Sequence, residues 1–439
     1  MFWPLVGRVP LGHLWYLLRR MRSELPHRFA GLTRVNTFFP PHPSPAFGRF
    51  CQAVIQRRRV PFSAYLAVTS RCPYRCEHCS LAGRDGGEMD REQVLGLIEQ
   101  IKGLGTCTLG LTGGEPLLRE DLEEFVRAAG PEMTTVVFTT GYGLDDQRAG
   151  RLAQAGVTCV TVGIESDDPD KQAKVRGEER SLAPARDGGR DGDGGAVEAA
   201  ERQAGAEAGG AECKSGVSGT TFDRTPATRR DRHDATPRDG SWEQARRAVE
   251  ACRRAGIYPA ISTIGTADKL RGGELERMHE LGGRWGAGEF RVLAPVATGG
   301  WSGRPSAMLS PAELAELADF HVRMNRRRVL PAVACFAYLE SAEMFGCGAG
   351  YHHLFIDPSG EVCPCDLTPL SMGSALARPL GEIWAQMGEL FARPRRSCLM
   401  RELAGRVRAP LPMPAQASQE LCRLCRHSGE LPEGYRRLL

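Results

Sequence analysis

A partial (β/α)6 barrel followed by a small, cysteine-rich α+β domain is the fold the sequence predicts. Three observations lead there. From about residue 60, short apolar β-branched runs alternate with amphipathic stretches, the pattern of parallel strand–helix units. After residue 330 the chain changes to Cys, Gly and hairpin signals. Between 178 and 240 the alternation is interrupted by a segment rich in Gly, Ala, Asp, Arg and Thr, which contains ARDGGRDGDGG.

The candidate strands are 62–69, 106–112, 134–140, 158–165, 258–264 and 288–294, most of them short and bounded by Gly, Pro or polar residues. Helices fill the gaps. Asp90, Ser241 and Ser310 followed by Pro311 are start signals, because a side-chain oxygen accepts from free N–H groups and proline suits the first turn. Six units make a partial TIM-type barrel, since eight would need two more strand–helix pairs. The expected organisation is an N-terminal helical extension over 1–59, the barrel over 60–330 and the second domain over 331–439.

In the 178–240 insertion, Leu182, Val197, Val217 and Phe222 are the sizeable apolar residues. So little burial does not offset chain entropy, and disorder is expected there. The insertion follows the C-terminal end of a strand, where barrel enzymes keep their sites, so it reads either as a mobile lid or as a neutral insertion. Near the start, Leu11, Leu14, Trp15 and Leu18 share a helical face beside Arg19, Arg20 and Arg22. This is a helix docked on the barrel or a basic amphipathic helix at a membrane surface, and docking is the expectation. The segment lacks the pattern of a signal peptide.

Composition narrows the function. With 439 residues, 41% hydrophobic and 25% charged, the chain reads as an ordinary globular protein, expected in the cytoplasm. The net charge of +4 is carried by arginines dispersed over the chain, with no basic stripe and no aromatic interleaving, so nucleic acid is not an expected partner. Fifteen cysteines in two tight groups with scattered singles fit thiolate ligation in a reducing compartment better than a disulfide framework.

The first group, Cys72-Pro-Tyr-Arg-Cys76-Glu-His-Cys79, stands on the loop after the first strand. Three thiolates ligate three irons of a [4Fe-4S] cluster and leave the fourth iron open, whereas structural zinc wants four closed ligands. The second strand ends in Thr112-Gly113-Gly114-Glu115-Pro116, where the glycines permit close backbone approach to a ligand and Glu115 offers a carboxylate to an ammonium group. The third strand ends in Thr139-Thr140-Gly141; the fourth ends in Gly163-Ile164-Glu165-Ser166, followed by Asp168-Pro169 and Arg176-Gly177. All fall on one rim of the barrel.

The cysteine loop resembles that of the radical S-adenosylmethionine superfamily over residues 60 to about 300, and the later loops resemble that family's GGEP, TNG, SLDS, DP and RG positions. Thr140 replaces a usual Asn, Gly163 a usual Ser and Glu165 a usual Asp. The resemblance implies that Cys72, Cys76 and Cys79 hold a [4Fe-4S] cluster and that S-adenosylmethionine binds beside Gly113, Gly114 and Glu115, with Thr140, Ser166 and Arg176 as further contacts. It implies reductive cleavage to a 5′-deoxyadenosyl radical, hydrogen abstraction from substrate, and an electron donor such as flavodoxin or ferredoxin.

Downstream, Cys347 precedes Leu354-Phe355-Ile356, the turn Asp357-Pro358-Ser359-Gly360 and a strand ending Cys363-Pro364-Cys365; Cys422-Arg-Leu-Cys425 comes later. Cys347, Cys365, Cys422 and Cys425 form a four-thiolate set, with Cys363 as an alternative to Cys365. This resembles the SPASM auxiliary-cluster domain, and more closely its shorter Twitch variant, and so implies an auxiliary [4Fe-4S] cluster. The spacing alone serves structural zinc equally well. Cys51, Cys107, Cys159, Cys213, Cys252, Cys335 and Cys398 read as small hydrophobes or loop thiols, and His352 and His353 as hairpin residues facing opposite sides. The substrate stays open between a peptide, a small molecule and a tetrapyrrole, and a non-catalytic electron-transfer or cluster-carrier protein is the reading from another class.

Overall fold

The computed structural model describes residues 3–84, 87–178, 239–427, 429–436 and 438. The expected disorder and lid of the insertion fall, over 179–238, outside them, as does Cys213. The strands are β1 (His27–Phe29), β2 (Leu32–Arg34), β3 (Ser63–Ala67), β4 (Thr108–Thr112), β5 (Thr134–Thr139), β6 (Cys159–Gly163), β7 (Tyr258–Ile264), β8 (Glu289–Leu293), β9 (Ala332–Cys335), β10 (His353–Ile356) and β11 (Val362–Cys363). All six predicted barrel strands are present as β3 to β8, in chain order and parallel.

The sheet is larger than the sequence predicts. β9 continues it in parallel beside β8, and β10 joins the other edge in parallel with β3, from His353 opposite Ser63 to Ile356 opposite Leu66. Eight parallel strands therefore lie in one sheet, with β11 antiparallel at its edge. The sheet thus runs across residue 331, where a second domain is expected to begin, and one buried cluster extends from Ala64 to Cys422. Four-residue strands such as AVAC and HLFI are too short to carry a periodic signal, and pairing with a neighbour decides them.

Local signals explain most of the helices. Asp90 and Ser310 each form a capping box, with Gln93 and Glu313. Ser241 is not a cap: Gly240 holds that position, and the Ser241 N–H donates to the Glu178 carboxylate. Between β10 and β11, Asp357 Oδ1 accepts from the N–H groups of Ser359 and Glu361, and Gly360 takes the left-handed φ of 87° that the turn needs.

The extension over 1–59 is not purely helical. Its helices Leu11–Arg20 and Pro45–Gln56 flank the β1–β2 hairpin, which closes the N-terminal end of the barrel. Phe29 meets the Tyr258 ring edge-on at 5.4 Å, His27 Nε2 lies 3.0 Å from Tyr258 Oη, and Arg34 stacks 4.2 Å over the same ring. The first helix docks by His13, Tyr16 and Leu17 while Leu11, Trp15 and Leu18 stay exposed. No helix among the described residues is long and apolar enough to cross a membrane.

Beneath the same floor, Thr37 Oγ1 donates to Glu289 Oε1 at 2.7 Å, and Glu289 Oε2 has no hydrogen-bond partner among the described residues. Burial pushes the Glu289 carboxyl up to about 7, outweighing Arg291, Thr37 and Arg34. The folded state thus keeps a proton that the unfolded state releases. This contribution to stability is complete below about pH 4.5 and is lost as the pH rises to about 7, amounting to roughly 3 kcal/mol. Glu289→Gln is expected to flatten that dependence. Urea unfolding of both proteins at pH 5 and pH 8 checks it, and parallel slopes would remove Glu289 as the cause.

Candidate active site

The Cys72–Cys79 loop follows β3 and is held by backbone contacts from three directions. Arg75 N–H and Glu77 N–H donate to the carbonyls of Arg176 and Val175, at 3.0 and 3.4 Å. Gly300 N–H donates to Cys79 O at 3.0 Å, and the chain just before Cys72 receives Gly114 N–H on Thr69 O and Glu115 N–H on Arg71 O, both at 2.8 Å. The sequence reading missed Gly299 and Gly300. A Cβ on Gly300 would stand 2.1 Å from Glu77 O, and one on Gly299 2.0 Å from Cys79 O. Thr298-Gly299-Gly300-Trp301 carries a turn signal, but nothing local says what the glycines face.

Gly113 and Gly114 play the same part. A Cβ at Gly113 would stand 2.4 Å from Thr69 O, and one at Gly114 2.2 Å from Arg71 O, so what they approach closely is the cysteine loop's own backbone. Glu115 is likewise turned inward. It is fully buried and accepts from Leu117 N–H, Thr139 Oγ1, Thr140 N–H and Thr140 Oγ1 at 3.1, 2.7, 2.8 and 2.5 Å. Its carboxylate ties the end of β4 to the end of β5. The Thr140 hydroxyl is the donor in one of these bonds.

Ser166 donates to Glu274 Oε1 at 2.5 Å. Arg176, nearly buried, donates from Nη1 to Cys76 Sγ at 3.3 Å and from Nη2 to Gly163 O at 2.7 Å. A Cβ at Gly163 would lie 2.8 Å from that guanidinium, so the glycine that departs from the family pattern makes room for Arg176. His78 turns from the other cysteine-loop residues to Glu165, 3.4 Å away, and Lys269 lies 3.3 Å from the same carboxylate. Burial alone would raise the Glu165 carboxyl; His78 and Lys269 outweigh it and hold it well below the usual carboxylate range.

The residues present fit an iron–sulfur cluster. Cys72, Cys76 and Cys79 are free thiols on one short loop, with a guanidinium on one sulfur to offset thiolate charge. Among the described residues, the group whose ligand atoms all lie within 4.8 Å is His353, Cys365 and Asp366, so the triplet is not drawn together around a single ion.

The second cysteine group is rearranged relative to the sequence reading. Cys347 makes a thiol contact with Cys398, taken above as an isolated thiol, and also interacts with Cys365. Cys422 and Cys425 are coupled to each other. Arg395 lies between the groups: its carbonyl accepts from Cys347 N–H at 2.8 Å and its guanidinium donates to Cys425 O. Cys363 instead sits in β11 with its sulfur 3.6 Å from Arg84 Nη1, which favours Cys365 as the ligand. Cys398 has no sequence neighbour to mark it, and tertiary contact alone reveals it.

Between the two groups lies a cavity of about 870 Å³. Ser80, Leu81 and Gly113 line it on one side and Cys347, Cys365 and Cys398 on the other. Its interior carries Arg291, 5.1 and 5.3 Å from the rings of Phe138 and Phe336, with Tyr65 and Glu340 nearby. His353 joins them, its Nδ1 2.8 Å from Ser63 Oγ and its Nε2 3.6 Å from Asp366, while His352 is bonded to Tyr435 Oη.

Comparison with known proteins agrees with this geometry. The radical SAM superfamily model matches residues 66–183, and the SPASM iron–sulfur cluster-binding domain matches residues 347–426. The PqqA peptide cyclase of Streptomyces rochei is 28% identical over 345 residues, spanning 74% of this chain and 75% of that protein. Two crystal structures of Streptococcus suis SuiB share the fold. One is bound to precursor peptide SuiA (13% identity, TM-score 0.52, 76% of this chain and 68% of that one). The other is bound to S-adenosylmethionine (12% identity, TM-score 0.50, 76% and 67%). Three thiols on the loop after β3, a second thiol group across the cavity and both family matches lead to one conclusion: the chain is a radical S-adenosylmethionine enzyme with a C-terminal SPASM domain, a family that uses a [4Fe-4S] cluster, S-adenosylmethionine and auxiliary iron–sulfur clusters.

Proposed function

We propose that this enzyme oxidatively modifies a peptide held between its two cysteine groups. The observation that carries the reading is the single cavity reached by Ser80, Leu81 and Gly113 from one side and by Cys347, Cys365 and Cys398 from the other. Its volume of about 870 Å³ suits side chains of a peptide, and the kinship to a peptide cyclase points the same way. Cys72, Cys76 and Cys79 would hold the [4Fe-4S] cluster; Cys347, Cys365, Cys422 and Cys425, joined by Cys398, would serve the auxiliary site. The first cluster together with S-adenosylmethionine would supply a carbon radical able to remove a hydrogen atom from an unactivated carbon, and the auxiliary group would accept the remaining electron.

The protein's own residues do the positioning. Arg291 places a fixed positive charge in a cavity shielded by Phe138 and Phe336, where it acts more strongly on a polar substrate group than it would in water, while burial holds the Glu340 carboxyl well above the usual carboxylate range, so that it faces the space as a neutral hydrogen-bonding group. His353, both of whose ring nitrogens are taken up by Ser63 and Asp366, is held as a fixed part of the wall of the same space.

The test is anaerobic. Protein reconstituted with iron and sulfide is given S-adenosylmethionine, dithionite and short peptides encoded beside its gene. 5′-Deoxyadenosine and a peptide lighter by two hydrogens are expected by mass spectrometry. Formation of 5′-deoxyadenosine with every such peptide unchanged, and a small molecule consumed instead, would overturn the peptide reading. No 5′-deoxyadenosine from fully loaded protein would favour the electron-carrier reading.

A further inference from the structure

The N-terminal extension walls one arm of the cavity. Leu5, Leu17, Phe39, Phe50, Val54 and Phe62 give it an apolar surface, and Arg20, Arg57, Arg58 and Arg59 line the same space. Some arginines elsewhere in the chain already meet carboxylates. Arg49, one turn or two earlier on the same helix as Arg57's approach, is paired with Glu132 at 3.1 Å, and Arg91 and Arg246 are paired with carboxylates as well. Among the described residues, none of Arg20, Arg57, Arg58 and Arg59 forms an ion pair with a carboxylate.

Arg59 is the most telling. Its guanidinium stacks 3.8 Å over Trp384 and donates to Trp384 O at 2.9 Å and Gly350 O at 2.6 Å, while its Nε is buried without a hydrogen-bond partner among the described residues. Burial with no counter-anion pushes its pKa down to about 10. Arg57 caps its helix in a left-handed conformation at φ 52°, one a non-glycine residue seldom adopts. The side chains of Arg57 and Arg58 are exposed and make no hydrogen bond among the described residues. Arg20 lies 5.7 Å over the Tyr16 ring. Against them the arm presents the carboxylate of Glu343; Glu340 and Asp366 lie deeper, near Arg291 and His353. Elsewhere on the lining, Arg396 is paired with Glu430 and Arg401 donates to Leu309 O.

We propose that this arm binds an acidic, apolar-rich segment of the peptide substrate, with Arg20, Arg57, Arg58 and Arg59 meeting its carboxylates and the phenylalanines its apolar side chains. The inference rests on the peptide reading above and adds the charge of the peptide and the part of the enzyme that reads it. Guanidinium groups pair with carboxylates bidentately, and a stacked, immobilised one such as Arg59 loses little further entropy on pairing. Charges at the mouth also steer an oppositely charged peptide inward.

The test uses the full-length reconstituted enzyme and two fluorescein-labelled twelve-residue peptides, one alternating Glu with Phe and Leu, the other with Gln for every Glu. Fluorescence anisotropy is expected to show the Glu peptide binding about tenfold more tightly, a preference that shrinks as salt is raised. In R57S/R58S, whose changed side chains are exposed, the preference is expected to fall to about twofold with the unfolding temperature unchanged. R20Q, a separate variant on the first helix, is expected to lower it as well. Equal affinity of the wild-type enzyme for both peptides, or a preference that survives in both variants, overturns the acidic-segment inference and leaves the peptide reading standing. Modification of a natural peptide that lacks acidic residues, at a rate unaffected by R57S/R58S, also overturns it. Failure of both probes to bind, together with consumption of a small molecule and no peptide in the assay of the proposed function, overturns the two readings together.

Discussion

Cys76→Ala is expected to abolish 5′-deoxyadenosine formation, by more than about 1,000-fold, because one of three thiolates that leave a single iron open is removed. The variant also strips Arg176 of the sulfur 3.3 Å from its Nη1, leaving a nearly buried guanidinium with Gly163 O as its remaining close acceptor. Iron and sulfide analysis should show the loss of one cluster while the auxiliary iron remains. Protein with undiminished iron that still forms 5′-deoxyadenosine would remove Cys76 from the ligand set. The auxiliary iron serves as the internal control, since among the described residues Cys76 makes no contact with the second cysteine group.

Gly300→Ala is expected to lower the same activity about 100-fold, since small displacements of a catalytic centre cost that much. The added Cβ would stand 2.1 Å from Glu77 O, and a backbone carbonyl cannot swing aside as a long side chain can. Relief requires moving the Cys76–Cys79 turn or losing the Gly300 N–H bond to Cys79 O. The changed electron paramagnetic resonance signal of the reduced cluster on adding S-adenosylmethionine is the direct readout. Gly96→Ala is the control: its Cβ meets nothing within 4 Å, and helix propensity makes it neutral or stabilising by about 0.5–1 kcal/mol. Equal behaviour of the two variants would show that Gly300 supports nothing at the site.

Much of the site was legible because its chemistry is written in contiguous residues. Cys72, Cys76 and Cys79 occupy one loop, and the Asp357–Gly360 turn fixes the hairpin that carries Cys365. Glu115 was legible as important, but its hydrogen-bond partners were not. Sequence shows a carboxylate in a glycine turn, whereas the hydroxyls of Thr139 and Thr140 that take it up come from the next strand and meet it only in the folded sheet. Cys398 was missed for the same reason, since its partner Cys347 is distant in sequence. The arginine-lined arm was hidden because Arg20, Arg57 and the cavity's deeper residues come from widely separated parts of the chain.

Periodicity, turn chemistry and cysteine spacing are local, each read within a few residues, and from them the sequence alone determined a parallel strand–helix barrel, the order of its six strands, the cysteine loop and the auxiliary-cluster hairpin. The tertiary structure decided what depends on contacts between distant segments. It placed β9 and β10 at the two edges of the sheet, turned Glu115 and Arg176 inward to brace the cysteine loop, joined Cys398 to Cys347, and made the N-terminal extension a wall of the cavity. A side chain's type is fixed by the sequence, but its partner is chosen by packing: a buried polar group must find whatever donor or acceptor the fold brings within reach.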